Sequence, residues 1–323
     1  MELFDYEQVA MELVRAVRGR RSQRAVSRRL GFRTNVLYTW ESGRTFPTAS
    51  GFLRFANKMG VDAKAALLSL HRVAPDWLLE TEDVASPDLV AAFLRDIAGE
   101  RATVELAKAA HKSRFAMARL LSGEAEPRLP DLLRLVQAGT ARLLDFVAAF
   151  ANPNRLPALS DEWRKLEVSR RLAYEQPMTH AVLRVLELSA YRALPKHEPG
   201  FIATRLNITQ EDEARYLQSL IESGQVEDRA GRYQSTDVRV VDTRRDPEQA
   251  AALRRFWTQV ALERAGLRTD DVFAFSLGTV SLRDLERIRE LHRRYFTELR
   301  AIVGASEPSE AVLLANVQLV RLA

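Results

Sequence analysis

Apolar residues recur at helical spacing through the first eighty positions, in four short groups separated by turn residues. Val9, Leu13, Val14 and Val17 form the first group, and Ala25, Val26 and Leu30 the second. Val36, Leu37 and Trp40 form the third, and Phe52, Leu53, Phe55 and Ala56 the fourth. Gly31, Ser42-Gly43 and Pro47 punctuate them. Residues three and four apart share one helix face, so the pattern predicts a bundle of short helices over residues 1–80. The pattern then returns, without gaps, eighty residues later. Leu13-Val14-Arg15 matches Phe93-Leu94-Arg95, Gly19 matches Gly99, and Ser42-Gly43 matches Ser122-Gly123. Pro47 matches Pro127, and Phe52-Leu53-Arg54 matches Leu132-Leu133-Arg134. A duplicated helical domain over residues 86–151 is expected.

The prolines of Asn152–Pro157 cannot sustain a helix, so that stretch reads as a linker. In residues 158–240 the pattern predicts an amphipathic helix over His180–Leu194, a short helix Phe201–Leu206 and a longer one over Glu211–Ser223. Two strands follow, Val226–Arg229 and Tyr233–Thr236, joined through Ala230-Gly231. Three helices and a small hairpin follow the winged-helix order. In residues 241–323, Pro247–Ala265 and Leu282–Val303 read as helices, while Val272–Ser281 and Ala311–Leu322 read as strands. The expected class is mainly α, ending in a small α+β domain.

Charge changes this picture most in one place. Between Arg15 and Lys58 stand Arg15, Arg18, Arg20, Arg21, Arg24, Arg28, Arg29, Arg33, Arg44, Arg54 and Lys58 against the single acid Glu41. That segment carries +10 in a chain whose net charge is +5. A compact positive block on a mildly acidic body fits a polyanion-binding module. The chain has no cysteine, which excludes disulfides, thiolate metal sites and cysteine nucleophiles. Glu2, Asp5, Glu7 and Glu12 interrupt the N-terminal apolar residues, unlike a signal peptide, and no apolar run reaches the ~20 residues of a membrane span. A cytoplasmic protein with no membrane partner is expected.

The string Ser22 to Arg44 resembles the helix-turn-helix of the phage-repressor, Xre-like class. Ser22 is placed to cap the first helix, Gly31 to turn the chain, and Ser42-Gly43 to close the second helix. Val26, Leu30, Phe32, Leu37 and Trp40 are expected to bury the junction. The resemblance implies double-stranded DNA as partner, with helix 34–41 lying in the major groove. Thr34, Asn35, Tyr38 and Thr39 would then face base edges, and the Asn35 amide suits bidentate pairing with adenine. Gln23, Arg24, Arg33 and Arg44 would hold phosphates. The residue opening this helix in the class is Ser or Thr, and here it is Arg33. The cap then moves to Thr34 or is lost. A homodimer is expected, since one such helix reads about half a site.

The second copy is read as degenerate and suited to packing or dimerisation, because Arg95–Ala138 carries only +2. Arg114, Arg119 and Lys112 keep DNA contact open for it. Lys196–Asp237 sums to −3, with Glu211, Asp212 and Glu213 at the start of its longer helix, which suits a structural role. From about Ala173 to Ala323 the order of elements, with the closing Asn316-x-Gln318-Leu319, is similar to a family of uncharacterised bacterial predicted regulators. That likeness implies transcriptional control and names no ligand. No phosphate-cradling glycine loop, zinc spacing or nucleophile elbow occurs, and His71, His111, His180, His197 and His292 are scattered. Neither catalysis, metal nor cofactor is expected. Two other readings stand beside DNA-directed regulation. One is an antitoxin or defence-system controller acting through a protein partner. The other is a sensor whose C-terminal half takes a peptide or small-molecule effector.

Overall fold

Each apolar group of the first eighty residues becomes a helix in the computed structural model, which describes residues 4–71, 74–99, 103–236, 241, 243, 246–269 and 271–322. The order is α1 (Tyr6–Arg18), α2 (Gln23–Arg29), α3 (Val36–Glu41), α4 (Ala49–Met59), α5 (Ala63–Leu68) and α6 (Asp76–Leu79). Asp5, Ser22, Thr48 and Asp62 cap α1, α2, α4 and α5, accepting from first-turn N–H groups that have no partner inside the helix. A second set follows: α7 (Pro87–Ala98), α8 (Thr103–Ala109), α9 (Arg114–Ser122), α10 (Leu129–Thr140) and α11 (Leu143–Phe150). The eighty-residue offset holds element by element. It extends to single loop bonds: the Phe32 N–H donates to the Ser27 carbonyl at 3.0 Å, and the Lys112 N–H to that of Ala107 at 2.8 Å. Gly43 and Gly123 close their helices at φ 72 and φ 85, a region that a side chain disfavours.

The copies pair with each other reciprocally. The Ala49 N–H donates to the Pro127 carbonyl and the Leu129 N–H to that of Pro47, both at 2.9 Å. These residues exchange roles under the offset, and the result is an antiparallel bridge with Thr48 opposite Arg128. Arg54 donates to the Ala85 carbonyl just before α7, and its counterpart Arg134 lies over the Tyr6 ring at the start of α1. Helix α5 packs on α11, its own counterpart. The buried Arg142 guanidinium donates at 2.5 Å to the Leu70 carbonyl, just past the end of α5. Such reciprocity belongs to isologous interfaces. Here one chain supplies both halves. The rings of Trp40, Phe55, Phe52, Phe150, Phe146 and Phe93 run in succession through their common core.

The expected linker is part of this core. Pro153–Arg155 forms a 3-10 turn, and Leu156 and Leu159 are fully buried. Prolines end the helix there, yet Pro153 packs inward with the two leucines, while Pro157 stays exposed. Helix α12 (Ser160–Glu175) adds Trp163 and Leu166 to the same core, so the first compact unit runs to Glu167.

The second unit, from Val168 onward, contains α13 (Thr179–Glu187), α14 (Ser189–Arg192), α15 (Phe201–Leu206), α16 (Gln210–Glu222) and a hairpin. Strands β1 (Val226–Arg229) and β2 (Arg232–Ser235) pair antiparallel, with Val226 opposite Ser235. The helix expected over His180–Leu194 breaks at Leu188, whose ψ of 138 is extended. The Ser189 N–H and hydroxyl both donate to the Ser309 carbonyl instead. Glu213 is almost fully buried and accepts from the N–H groups of Gly200 and Ala203, so this acid holds the start of α15. Beside it, burial pushes the Tyr191 hydroxyl up to about 12.

Helices α17 (Pro247–Arg264) and α18 (Leu282–Ala305) complete the described elements. The two strands expected on either side of α18 do not form. Val272–Val280 and Ala311–Leu322 contain no helix, turn or bend and join no ladder, and among the described residues the sheet is β1 with β2 alone. Alternating apolar residues specify an extended strand, but a ladder also needs a partner, and no described segment of the chain provides one. Asn316 and Gln318 do share a face, as their spacing requires: both amides donate to the Thr258 hydroxyl, at 3.1 and 2.9 Å. No described helix is long and apolar enough to cross a membrane.

Two stability predictions follow from this packing. A Cβ on Gly139 would lie 2.7 Å from the Ile97 carbonyl oxygen, a backbone atom that cannot yield cheaply. Alanine there gains about 1 kcal/mol of helix propensity but incurs ~1–3 kcal/mol of overpacking. Gly139→Ala is therefore expected to lower stability by about 1 kcal/mol in urea unfolding; a rise would mean that α7 and α10 adjust freely. Burial, helped by Arg184, holds His180 below its ordinary value, and burial does the same to His197. The unfolded chain then takes up protons first, at about pH 6.5. Stability present above that pH is lost as the pH falls through it toward the lower folded-state values. His180→Gln should flatten this acid-side loss in thermal melts between pH 7.5 and roughly 5, whereas an unchanged pH profile would remove His180 as its source.

Candidate nucleic-acid interface

The basic segment has one acid, and its fate sets the electrostatics of the whole face. Glu41 ends α3 and is 6% exposed. Its carboxylate accepts from Arg18 at 2.5 and 3.0 Å and from the Gln23 amide at 2.8 Å, with Arg15 at 3.8 Å. The carboxylate in turn pushes the Arg18 guanidinium further above its already high ordinary value. α1, α2 and α3 are tied together at this point. Gln23, expected on phosphate, thus has its amide N–H directed at Glu41.

Outside the cluster the cations stand alone. Arg20, Arg21, Arg24, Arg28, Arg29, Arg33 and Arg44 are exposed, and none forms an ion pair with a described residue. Arg20, Arg21, Arg28 and Arg29 were not singled out as site residues, although the charge count contains them. Like charges gathered in one short segment repel, and an anion from outside relieves that repulsion.

The expected reading helix begins later than residue 34. α3 spans Val36–Glu41, and Thr34 and Asn35 form an exposed turn before it. Asn35 occupies the cap position but makes no side-chain cap bond. The cap comes from α2 instead: the buried Ser27 hydroxyl accepts from the Leu37 N–H at 3.1 Å. The same hydroxyl lies 2.9 Å from the Gln23 carbonyl and 3.2 Å from Asn35 Oδ1, the two acceptors for its proton. The loss of Ser or Thr at position 33 is thereby compensated. Neither the helical period nor the usual cap spacing signals Ser27, because it acts from the preceding helix.

The remaining candidates divide into exposed and engaged groups. Arg24, Arg33, Thr34, Asn35 and Tyr38 are exposed, and the Arg44 guanidinium sits 5.3 Å from the centre of the Tyr38 ring. Thr39 is half-buried, donates to the Val36 carbonyl at 2.8 Å and accepts from Thr45 at 2.8 Å. Its hydroxyl is committed to the turn. Val26, Leu37 and Trp40 are buried as expected, but Phe32 is 42% exposed and meets only the edge of Trp40.

The corresponding face of the second copy keeps less of this chemistry, although Arg114 and Arg119 are exposed on it. Val104 stands where Arg24 does, Phe115 where Asn35 does, and Glu124 where Arg44 does. Phe115 is 82% exposed, and Arg119 pairs loosely with Glu124 at 3.8 Å.

Residues 158–322 match the model of a family described as a domain of unknown function, DUF4423, and the chain belongs to that family. No curated protein and no solved structure matches the chain. The family match begins after the basic segment, so the chemistry of that face rests on its own residues.

The Ser27 cap generates a direct test. Ser27→Ala leaves the fully buried Leu37 N–H without an acceptor, a loss of about 1–2 kcal/mol. Urea unfolding together with amide exchange at Leu37 should show both the destabilisation and a faster-exchanging α3. Unchanged exchange at Leu37 would mean that another group caps the helix.

Proposed function

We propose that this chain is a sequence-specific double-stranded DNA-binding transcriptional regulator that reads the major groove with α3 and the turn before it. In this reading α1–α5 form a repressor-like helix-turn-helix domain and α7–α11 a second, degenerate one. The three helices and hairpin of the second unit form a winged helix with a structural role. The observation that carries the reading is the state of Glu41. The one acid among eleven cations is buried and bonded, so seven arginines on that face have no internal counter-charge. Asn35 would read a base edge, with Thr34 and Tyr38 beside it. Arg24, Arg33 and Arg44 would clamp phosphates. Thr39 and Gln23 act one step back, holding the turn and the helix junction in place.

The test separates reading from clamping. In a selection of bound sites followed by titration, Asn35→Ala should erode discrimination at one base pair by roughly 1–3 kcal/mol. Arg44→Ala should weaken every sequence alike and reduce the salt slope by about one. If both variants bind like the parent while Arg114 or Arg119 proves essential, the second copy is the reading head. If no variant matters because no duplex binds, the DNA reading fails outright.

A sensor that takes its effector in the first unit, rather than in the C-terminal half, has one observation of its own. A cleft of about 390 Å³ lies against α1, lined in part by Glu12, Arg15, Phe150, Asn152 and Arg155. Arg15 also approaches Glu41, so an anion drawn to Arg15 would act on the same cluster that ties α1 to α3.

A further inference from the structure

The two extended segments that flank α18 present apolar surface far beyond what a single chain leaves in water. Val272, Phe275 and Leu277 are 90%, 97% and 80% exposed, and Leu313, Val320 and Leu322 are 67%, 66% and 79% exposed. Together the segments offer on the order of 1,000 Å² of such surface, where the largest apolar patch of a typical monomer is ~300–600 Å². A stable interface takes about 800 Å² from each partner. Their main chain is nearly as bare, with the Val317 carbonyl 3.4 Å from His292 Nε2. Among the described residues, no backbone-to-backbone hydrogen bond involves 271–280 or 311–322.

The sequence pattern says what kind of cover is missing. In 312–320 apolar residues point to both sides of the extended chain, as in strands buried on both faces. One side is partly anchored, since Asn316 and Gln318 reach Thr258 on α17, but the flanking apolar side chains remain exposed. An unpaired apolar strand is a template for pairing with another chain.

We infer that residues 271–281 and 311–322 form the interface of a homodimer, each copy completing a sheet that the single chain leaves open. Two features select a second copy over a different protein. Asp271–Leu322 carries seven acids and seven basic residues, net zero within a chain of +5, so self-association meets no net repulsion and no oppositely charged partner is favoured. A second copy also brings the same two unpaired strands, so a two-fold arrangement satisfies the main chain of both copies at once. In the first unit, by contrast, the reciprocal face is already filled by the chain's own second copy of the helical domain.

The test uses the full chain and needs no DNA, so its outcome is separate from that of the regulator reading. Sedimentation velocity at micromolar concentration should give a dimer. Amide exchange should be slow in 271–281 and 311–322, and dilution should lose dimer and protection together. Phe275→Asp with Leu319→Asp should raise the dissociation constant by on the order of a hundredfold while helical content is kept, both positions being exposed in the single chain. A wild-type monomer overturns the inference. So does a dimer whose two segments exchange like open chain, which needs no variant to detect, or a dimer that the charged pair leaves intact.

Discussion

Burying the carboxylate of Glu41 under Arg18 and Gln23 is the constraint on which the N-terminal face depends. In water a single acid among eleven cations would shuttle between them and blunt their field. Fixed at the end of α3, it neutralises one guanidinium and orients three helices, leaving the rest of the charge uncompensated at the surface. Such a cluster is weak evidence for stability, because desolvation offsets much of the attraction. Its value lies in geometry. Removing one partner would strand the others, so α1, α2 and α3 hold one mutual arrangement. That fixed arrangement is what allows the short α3, only six residues long, to present side chains in a defined direction.

The second copy shows that this cluster comes and goes as a unit. Arg18 corresponds to Ala98, Gln23 to Thr103, Ser27 to Ala107 and Glu41 to Leu121. These four polar members of the junction are replaced by smaller or apolar residues, Arg15 alone keeping its arginine as Arg95, while the order of helices and the loop bonds are kept and α9 starts two residues earlier than α3. A partly replaced set would have left a buried charge or an unpaired donor, which is costlier than having none. The backbone frame therefore persists without the polar chemistry. The second copy retains what pairing requires, namely the Pro127–Leu129 bridge and α11, and adds Arg142 and Glu126 as further ties.

How much of this was legible in the sequence follows from what each signal encodes. The eighty-residue repeat, the hairpin at Val226–Arg229 and the short helix Phe201–Leu206 were readable because period and turn chemistry are local. So were Val26, Leu37 and Trp40 as core. Local period carries no information about partners, and the misreadings fall there. Phe32 is apolar but lies at the rim. The α3 cap arrives from Ser27 ten residues upstream of the N–H it serves. Leu188 breaks a helix because Ser309 competes for its neighbour. Val272–Val280 and Ala311–Leu322 read as strands but form none among the described residues, because pairing is a property of whatever lies alongside. On the basic segment, Arg24, Arg33, Thr34, Asn35 and Tyr38 are exposed, as the sequence reading requires of them. The engagement of Gln23 and Thr39 with their own chain was not legible.

Fusing the two copies has a physical consequence for the protein as a whole. Separate domains that pair weakly are apart at low concentration, whereas a tether of a few tens of residues holds them at an effective concentration near millimolar. The bridge at Thr48 and Arg128 thus persists however dilute the chain is, and the reciprocal face of α1–α5 is permanently occupied. Two-fold symmetry between whole chains cannot then arise at that face without breaking the internal pairing. The inferred two-fold pairing uses surface that the internal pairing leaves free, the exposed apolar segments flanking α18. In the inferred homodimer, the repeat that stabilises the N-terminal unit therefore leaves the assembly role to the C-terminal one.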